Sequence, residues 1–273
     1  MLKNKKIGFI GSGAIAEALI GGTVQAGLLT PSQIIVNDIK QSRLDYMQNK
    51  FGVHTTLNLK ELVDEANILF LTVKPQVIHS VLDALAPFIT PATLVVSVVA
   101  GVTTKILEGK MPCVPIIRAM PNTPVAVVEG MTVITLGEYA EQQHGELVLA
   151  IFSAVGKAII MEESAMDAVT GLSGSGPGYA FVLIEALSDA GVGVGLSRQN
   201  ALIMAAQTLL GAAKMVIETG DHPGKLKDMV TSPGGTTIAG IHVLEQRGVR
   251  GALMDAVKAA TKRSQEMGKK TNE

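Results

Sequence analysis

Two stretches of this chain carry residues able to do chemistry. The first is Met229-Val230-Thr231-Ser232-Pro233-Gly234-Gly235-Thr236-Thr237, which packs three Thr, one Ser, one Pro and two Gly into its last seven residues. Ile238, Ile241 and Leu244 follow at helical spacing, with Asp228 just upstream. A helix cap needs one hydroxyl, and this loop has four. Hydroxyls and peptide N–H groups gathered at a helix N-terminus favour negative charge, so the spacing predicts a cradle for a small anion. The second stretch is Lys6-Ile7-Gly8-Phe9-Ile10-Gly11-Ser12-Gly13-Ala14-Ile15-Ala16, a Gly-x-Gly-x-x-Ala turn between a strand and a helix.

Each small residue in that turn has a physical use. Gly11 permits the tight turn, Gly13 lets the backbone approach a pyrophosphate, and Ala16 lets helix and strand pack closely. The reading is a dinucleotide site at the helix N-terminus, formed by Gly8, Ile10, Gly11, Ser12, Gly13, Ala14 and Ile15. Cofactor choice is read at the end of the second strand, and there the signals divide. Asn37 stands where a carboxylate would hold the 2′-hydroxyl of NAD, while Asp38 stands where a cation would hold the 2′-phosphate of NADP. Lys40 and Arg43 are nearby cations, so the cofactor is read as NAD(P)H. Val73-Lys74-Pro75 and Ala100-Gly101 follow buried strands at the carboxyl edge, where open α/β sheets bind ligands. Asn122, in the Pro121–Pro124 loop, either shapes the nicotinamide end or belongs to a rigid turn.

The elements that must position these residues follow from periodicity. Strands are predicted at 6–10, 34–37, 68–73, 94–98, 115–118, 132–136 and 157–161, with continuous apolar runs such as Leu-Val-Val-Ser-Val-Val. Such runs belong to strands covered on both faces. After Glu163 the strand signal ends and helices are predicted at 177–190, 197–218, 237–246 and 249–267. The expected architecture is α/β: a Rossmann-type dinucleotide-binding domain over 1–162, then an all-helical substrate-binding and dimerisation domain over 163–273. The helix at 197–218 is apolar nearly all round, so it should be buried on every side. A helical domain of about 110 residues can rarely enclose it alone, which predicts an obligate homo-oligomer.

Composition removes other classes. A formal net charge of -1 gives no field for nucleic acid or an anionic membrane surface. No uninterrupted apolar run reaches membrane-spanning length. The single cysteine, Cys113, excludes an internal disulfide and suits a reducing, cytoplasmic compartment. The five histidines are scattered without ligand spacing, so no metal site is expected.

Set in order, these motifs resemble the pyrroline-5-carboxylate reductases, which share a 6-phosphogluconate dehydrogenase-like architecture. The resemblance runs end to end. It rests on Gly8–Ala16, Val73-Lys74-Pro75-Gln76, Arg118-Ala119-Met120-Pro121-Asn122-Thr123-Pro124, Leu172–Tyr179 and, most specifically, Leu226–Thr237. It implies reduction of 1-pyrroline-5-carboxylate to L-proline by hydride from NAD(P)H, the last step of proline biosynthesis. By the family's pattern Thr237 is the catalytic residue, hydrogen-bonding the ring nitrogen. Val230, Thr231 and Ser232 hold the substrate carboxylate, within a loop completed by Gly234 and Gly235. Glu163 and Thr236 match substrate-side positions, Asp228 a cofactor-side one, and Asn58 a contact to the adenosine half. The resemblance also implies a dimer at least, and a decamer as the family forms.

Three departures are visible: Gly178 for the usual Ala, Gly220 for a Glu of some members, and Asp38 for the Arg of many, which leaves NADP preference open. Two other readings compete. A β-hydroxyacid dehydrogenase would want a general base, usually Lys, at the domain junction, where this chain offers none obvious. A non-catalytic dinucleotide-binding regulator would not need the hydroxyl-rich loop.

Overall fold

In the computed structural model, which describes residues 2–271, the predicted apolar runs become one eight-stranded sheet. Residues 1, 272 and 273, the outer limits of the two predicted domains, lie outside the described residues. The strands are β1 (Ile7–Ile10), β2 (Ile34–Asn37), β3 (His54–Thr56), β4 (Ile68–Leu71), β5 (Leu94–Ser97), β6 (Ile116–Met120), β7 (Gly130–Leu136) and β8 (Gly156–Ile160). Their order is β3-β2-β1-β4-β5-β6-β7-β8, parallel throughout except for the β6–β7 pair. The order reverses between β1 and β4, the switch point at which such sheets bind ligands.

Helices α1 (Ala14–Gln25), α2 (Gln41–Phe51), α3 (Leu59–Glu65), α4 (Ile78–Leu85), α5 (Thr104–Lys110) and α6 (Gln142–Ser153) cover the sheet. Alternation along each strand feeds two cores. Ile7, Phe9, Ile68 and Phe70 pack with Leu19, Ile20 and Phe152 on one face. Ile10, Leu69, Leu71 and Val95 pack with Leu62, Leu82 and Leu107 on the other. Strands buried on both faces need apolar residues at every position, which is why no polar alternation appears in the sequence.

The chain continues through α7 (Met166–Val169), α8 (Gly176–Gly193), α9 (Arg198–Thr219), α10 (Pro223–Met229), α11 (Thr236–Gln246) and α12 (Val249–Thr271). Two compact units result: Met1–Gly174 with Ala259–Glu273, and Ser175–Lys258. The first unit extends past residue 162 because Met166 and Val169 bury against Val133 of β7, forming a third small core. It also takes the end of α12, where the Ser264 hydroxyl donates to Asp167 Oδ1 at 2.6 Å.

The second unit leaves its apolar helices uncovered, as expected of a domain too small to enclose them alone. Helix α9 is not buried on every side within the chain: only Ala201 and Ala205 are buried along it. Ile203 and Ile217 stand 60% and 67% exposed, and on α8 Phe181 and Val182 stand 63% and 65% exposed. The physical reason is numerical, since a unit of so few helices has nothing to lay over both sides of an apolar rod. Each such side chain would gain roughly 1.5–3 kcal/mol on burial, so the faces must be covered by further protein. Size-exclusion chromatography with light scattering is expected to return a multiple of the 28.5 kDa chain mass. A monomer at micromolar concentration would contradict that. Among the described residues α9 is also the one helix long and apolar enough to cross a membrane by length and composition, although Gln207 and Lys214 interrupt its apolar run.

Candidate active site

The Gly-x-Gly-x-x-Ala turn sits at the switch point. Gly11 donates its N–H to the Asn37 carbonyl at 2.8 Å, Thr72 its N–H to Ile10 at 2.9 Å, and Val98 its N–H to Leu71 at 3.1 Å. These bonds bring the carboxyl ends of β1, β2, β4 and β5 side by side. Gly11 has φ +94°, and a Cβ there would lie 2.9 Å from the Thr72 carbonyl oxygen. Only glycine fits. Gly13, the N-cap of α1, has an ordinary φ of −71° and no side-chain cap. A Cβ on Gly13 would meet nothing nearer than Thr72 O at 3.9 Å, and Ala14 beside it is exposed. The helix N-terminus therefore opens onto free space with its N–H groups unshielded, which fits a bound pyrophosphate.

Gly8 and Ile10, also expected at the cofactor, are buried strand residues. A Cβ on Gly8 would lie 3.0 Å from Ala66 Cβ and Leu69 Cδ1, so this glycine serves the seating of α3. Ser12 is wholly buried, and its amide and hydroxyl donate to one oxygen of Asp38 at 2.8 and 2.7 Å. The other Asp38 oxygen accepts from the Lys40 amide at 3.0 Å. Burial pushes the Asp38 carboxyl up, but the two Ser12 donors, the Lys40 amide and the charge of Arg43 outweigh it and hold the group below its ordinary value.

Arg43 donates to the Ser12 carbonyl and, at 3.2 Å, to Glu17 Oε2 on α1. Tyr46 and Lys50 donate to Glu17 Oε1 at 2.6 and 2.8 Å. Burial again acts upward on Glu17, and the bonds from Lys50, Tyr46 and Arg43 override it, lowering its pKa to about 2. Because the folded value is depressed, the stabilisation is complete above the ordinary carboxylate range and is lost as pH falls from about 4.5 through about 2. Glu17→Gln is expected to cost about 1 kcal/mol at pH 7, limited by solvent screening, and only a small part of that at pH 2. Denaturant melts of both proteins at the two pH values check it, and an equal difference at both would contradict the assignment.

Three asparagines expected at the cofactor have other partners. Asn37 is buried and donates through Nδ2 to the Thr56 carbonyl at 2.9 Å, tying β2 to β3. Asn58 is the N-cap of α3, accepting from the amides of Lys60 and Glu61 at 3.0 and 3.4 Å. Asn122 spans its loop: Nδ2 donates to Ser173 O at 3.0 Å and Oδ1 accepts from Met131 N at 2.8 Å. Val73, Lys74 and Pro75 follow β4, which ends two residues earlier than predicted because Thr72 turns its hydroxyl onto the Gly11 carbonyl at 2.6 Å. Lys74 is exposed there, and Gly101 turns the chain beyond Ala100 at φ +78°.

In the second unit α10 ends at Met229 and Thr231 folds back, its amide donating to Asp228 O at 3.0 Å and its hydroxyl to Lys227 O at 2.6 Å. Gly234 turns at φ +64°, and Gly235 is the N-cap of α11 with no side-chain cap. A Cβ on Gly235 would lie 2.3 Å from Ser232 Oγ, so the glycine is what lets Ser232 fold over the helix end. The amides of Thr236, Thr237 and Ile238 open α11, where a helix has no internal acceptors. Thr237 is half-buried, and among the described residues neither its hydroxyl nor that of Ser232 bonds a protein group. Val230 is 61% exposed beside them. Asp228 is exposed and pairs with Lys227 at 2.5 Å.

Glu163 lies in the first unit, paired through Oε1 with the buried Arg118 of β6. Its Oε2 is buried without a hydrogen-bond partner. The signal for Arg118 was a lone cation within Pro-Ile-Ile-Arg-Ala-Met, which an interior strand tolerates only with a partner. The Ser12–Asp38–Arg43–Glu17 chain had no such signal.

A doubly wound sheet with a glycine turn at its switch point, followed by a helical unit, defines a dinucleotide-dependent oxidoreductase. Residues 6–101 match the family model described as NADP oxidoreductase coenzyme F420-dependent, and residues 163–267 the one described as pyrroline-5-carboxylate reductase dimerisation. The chain belongs to the pyrroline-5-carboxylate reductase family. It is 48% identical to the pyrroline-5-carboxylate reductase of Methanosarcina acetivorans, over 98% of this chain and 100% of that one. The solved reductase of Coxiella burnetii superposes with a TM-score of 0.92 at 36% identity, covering 97% of this chain and 99% of that one. The Plasmodium falciparum enzyme with NADP bound gives 0.87 at 31% identity, with the same coverages. A dimerisation model over α8 and α9 accounts for their exposed apolar faces: the protein is a homo-oligomer.

Proposed function

We propose that this chain reduces 1-pyrroline-5-carboxylate to L-proline with NAD(P)H, the last step of proline biosynthesis. The observation that carries this reading is the Val230–Thr237 loop, where unpaired amides and two unengaged hydroxyls gather at the open N-terminus of α11. That donor set suits a small carboxylate with a proton-bearing nitrogen beside it. Membership of the family and the open dinucleotide turn support it independently.

Bound NAD(P)H supplies the hydride taken by the C=N carbon. The protein's work is then positioning, since a protonated imine is already electrophilic. Ser232, Gly234 and Thr236 offer the carboxylate their free donors, Val230, Thr231 and Gly235 shape the loop through their internal hydrogen bonds, and Thr237 orients the ring nitrogen through its hydroxyl. On the cofactor side Gly11, Gly13, Ala14 and Ile15 take the pyrophosphate, with Val73, Lys74, Pro75, Ala100 and Gly101 lining the carboxyl edge. By the family's pattern Asp228 contacts the cofactor and Asn58 its adenosine half, while Glu163 contributes through its unpartnered oxygen. The unit Met1–Gly174 with Ala259–Glu273 carries the cofactor turn, and the unit Ser175–Lys258 carries the substrate loop and the helices of assembly. The assembly is a dimer at least and, by the family's pattern, a decamer; the cytoplasm suits a chain with a single cysteine.

The test follows loss of reduced-nicotinamide absorbance with purified protein and pyrroline-5-carboxylate. Turnover to proline is the expected result. Nucleotide binding without turnover would overturn the assignment.

A further inference from the structure

The Asp38 carboxylate occupies the donors that a phosphate would need at the edge of β2. An anion arriving beside Ser12 would look to the Ser12 amide and hydroxyl, and both already point at Asp38 Oδ2, at 2.8 and 2.7 Å. The nearest guanidinium is equally committed. Arg43 is held on the Ser12 carbonyl and on Glu17, and lies over the Tyr46 ring at 4.7 Å. Lys50, the next cation along α2, is bonded to the same Glu17 at 2.8 Å. Charges in this cluster therefore balance, two carboxylates against two cations, before any ligand arrives. Lys40 is exposed to solvent, where water and salt screen it.

A carboxylate has about four lone-pair positions, and three of those on Asp38 are filled. The remaining capacity accepts a proton donor and nothing else. A ribose 2′-hydroxyl is such a donor, whereas a 2′-phosphate brings more negative charge to an ionised acceptor. We infer that Asp38 makes this chain select NADH over NADPH, with Ser12 and Arg43 as the residues that position its carboxylate.

The inference rests on the dinucleotide lying on the Gly11–Ala16 turn, so the test measures binding as well as preference. Dissociation constants for NADH and NADPH are read from nicotinamide fluorescence with the full-length oligomer. Displacement of NADH by 5′-AMP and by adenosine 2′,5′-bisphosphate is then compared on the unaltered protein. NADH is expected to bind at least about tenfold more tightly than NADPH, and 5′-AMP to displace better than the bisphosphate. Asp38→Ser and Asp38→Asn are expected to erase most of that ratio. Equal or tighter binding of NADPH by the intact chain overturns the inference, as does a ratio unmoved by both substitutions. Failure of both nucleotides to bind overturns the turn as the cofactor site, and the preference with it. The displacement comparison needs no variant, so a misfolded Asp38 substitution leaves the test decisive.

Discussion

Replacing Thr237 by Ala is expected to lower kcat about 10²-fold while leaving the affinity for reduced nicotinamide cofactor within about twofold. The size follows from losing one hydroxyl that orients, and exchanges a proton with, the reacting nitrogen. The selectivity follows from position. Thr237 is the second residue of α11, in the unit that does not contain the Gly11–Ala16 turn. Its hydroxyl bonds no protein group among the described residues and caps no helix, so truncation leaves folding intact. Thr237→Ser, which keeps the hydroxyl, is expected to recover most of the rate. Steady-state kinetics beside a fluorescence titration separates the two effects. Normal turnover in the alanine variant would remove Thr237 from the chemistry.

The second large effect belongs to the glycine turn. Gly11→Ala is expected to weaken nucleotide binding about 100-fold and to lower stability by about 2 kcal/mol. A side chain at φ +94° is strained, and its Cβ would press on Thr72 O at 2.9 Å. That carbonyl has little room to retreat, because Thr72 is pinned by its amide to Ile10 at 2.9 Å and by its hydroxyl to Gly11 at 2.6 Å. Gly13→Ala separates structure from function. Its φ of −71° and open surroundings predict an unchanged Tm, so any loss of affinity must come from the ligand's own approach. Undiminished binding in Gly13→Ala would place the pyrophosphate elsewhere.

Local chemistry made much of this molecule legible in its sequence. Strands buried on both faces announce themselves as continuous apolar runs, and the glycine turn names its own conformation. His54–Thr56 escaped notice because a three-residue polar edge strand has no run to show, and α10 because seven residues from Pro223 carry no clear apolar stripe. The site's fine structure was harder to see. Asp38 reaches Ser12 across 26 positions, and Asn37 turns instead to Thr56, so neighbours in sequence took opposite roles. Gly8 belongs to a cofactor motif by spacing and to helix packing by contact. Whether a residue faces ligand or core depends on a register that spacing does not encode.

The bare faces of α8 and α9 carry a thermodynamic consequence. Where covering them requires a second chain, unfolding releases separate molecules, and the equilibrium becomes one of mass action. Thermal midpoints of this protein are therefore a function of its amount, rising with concentration, and every substitution at Phe181, Val182, Ile203 or Ile217 must be compared at matched dilution. In a cell the same law makes its abundance part of its stability.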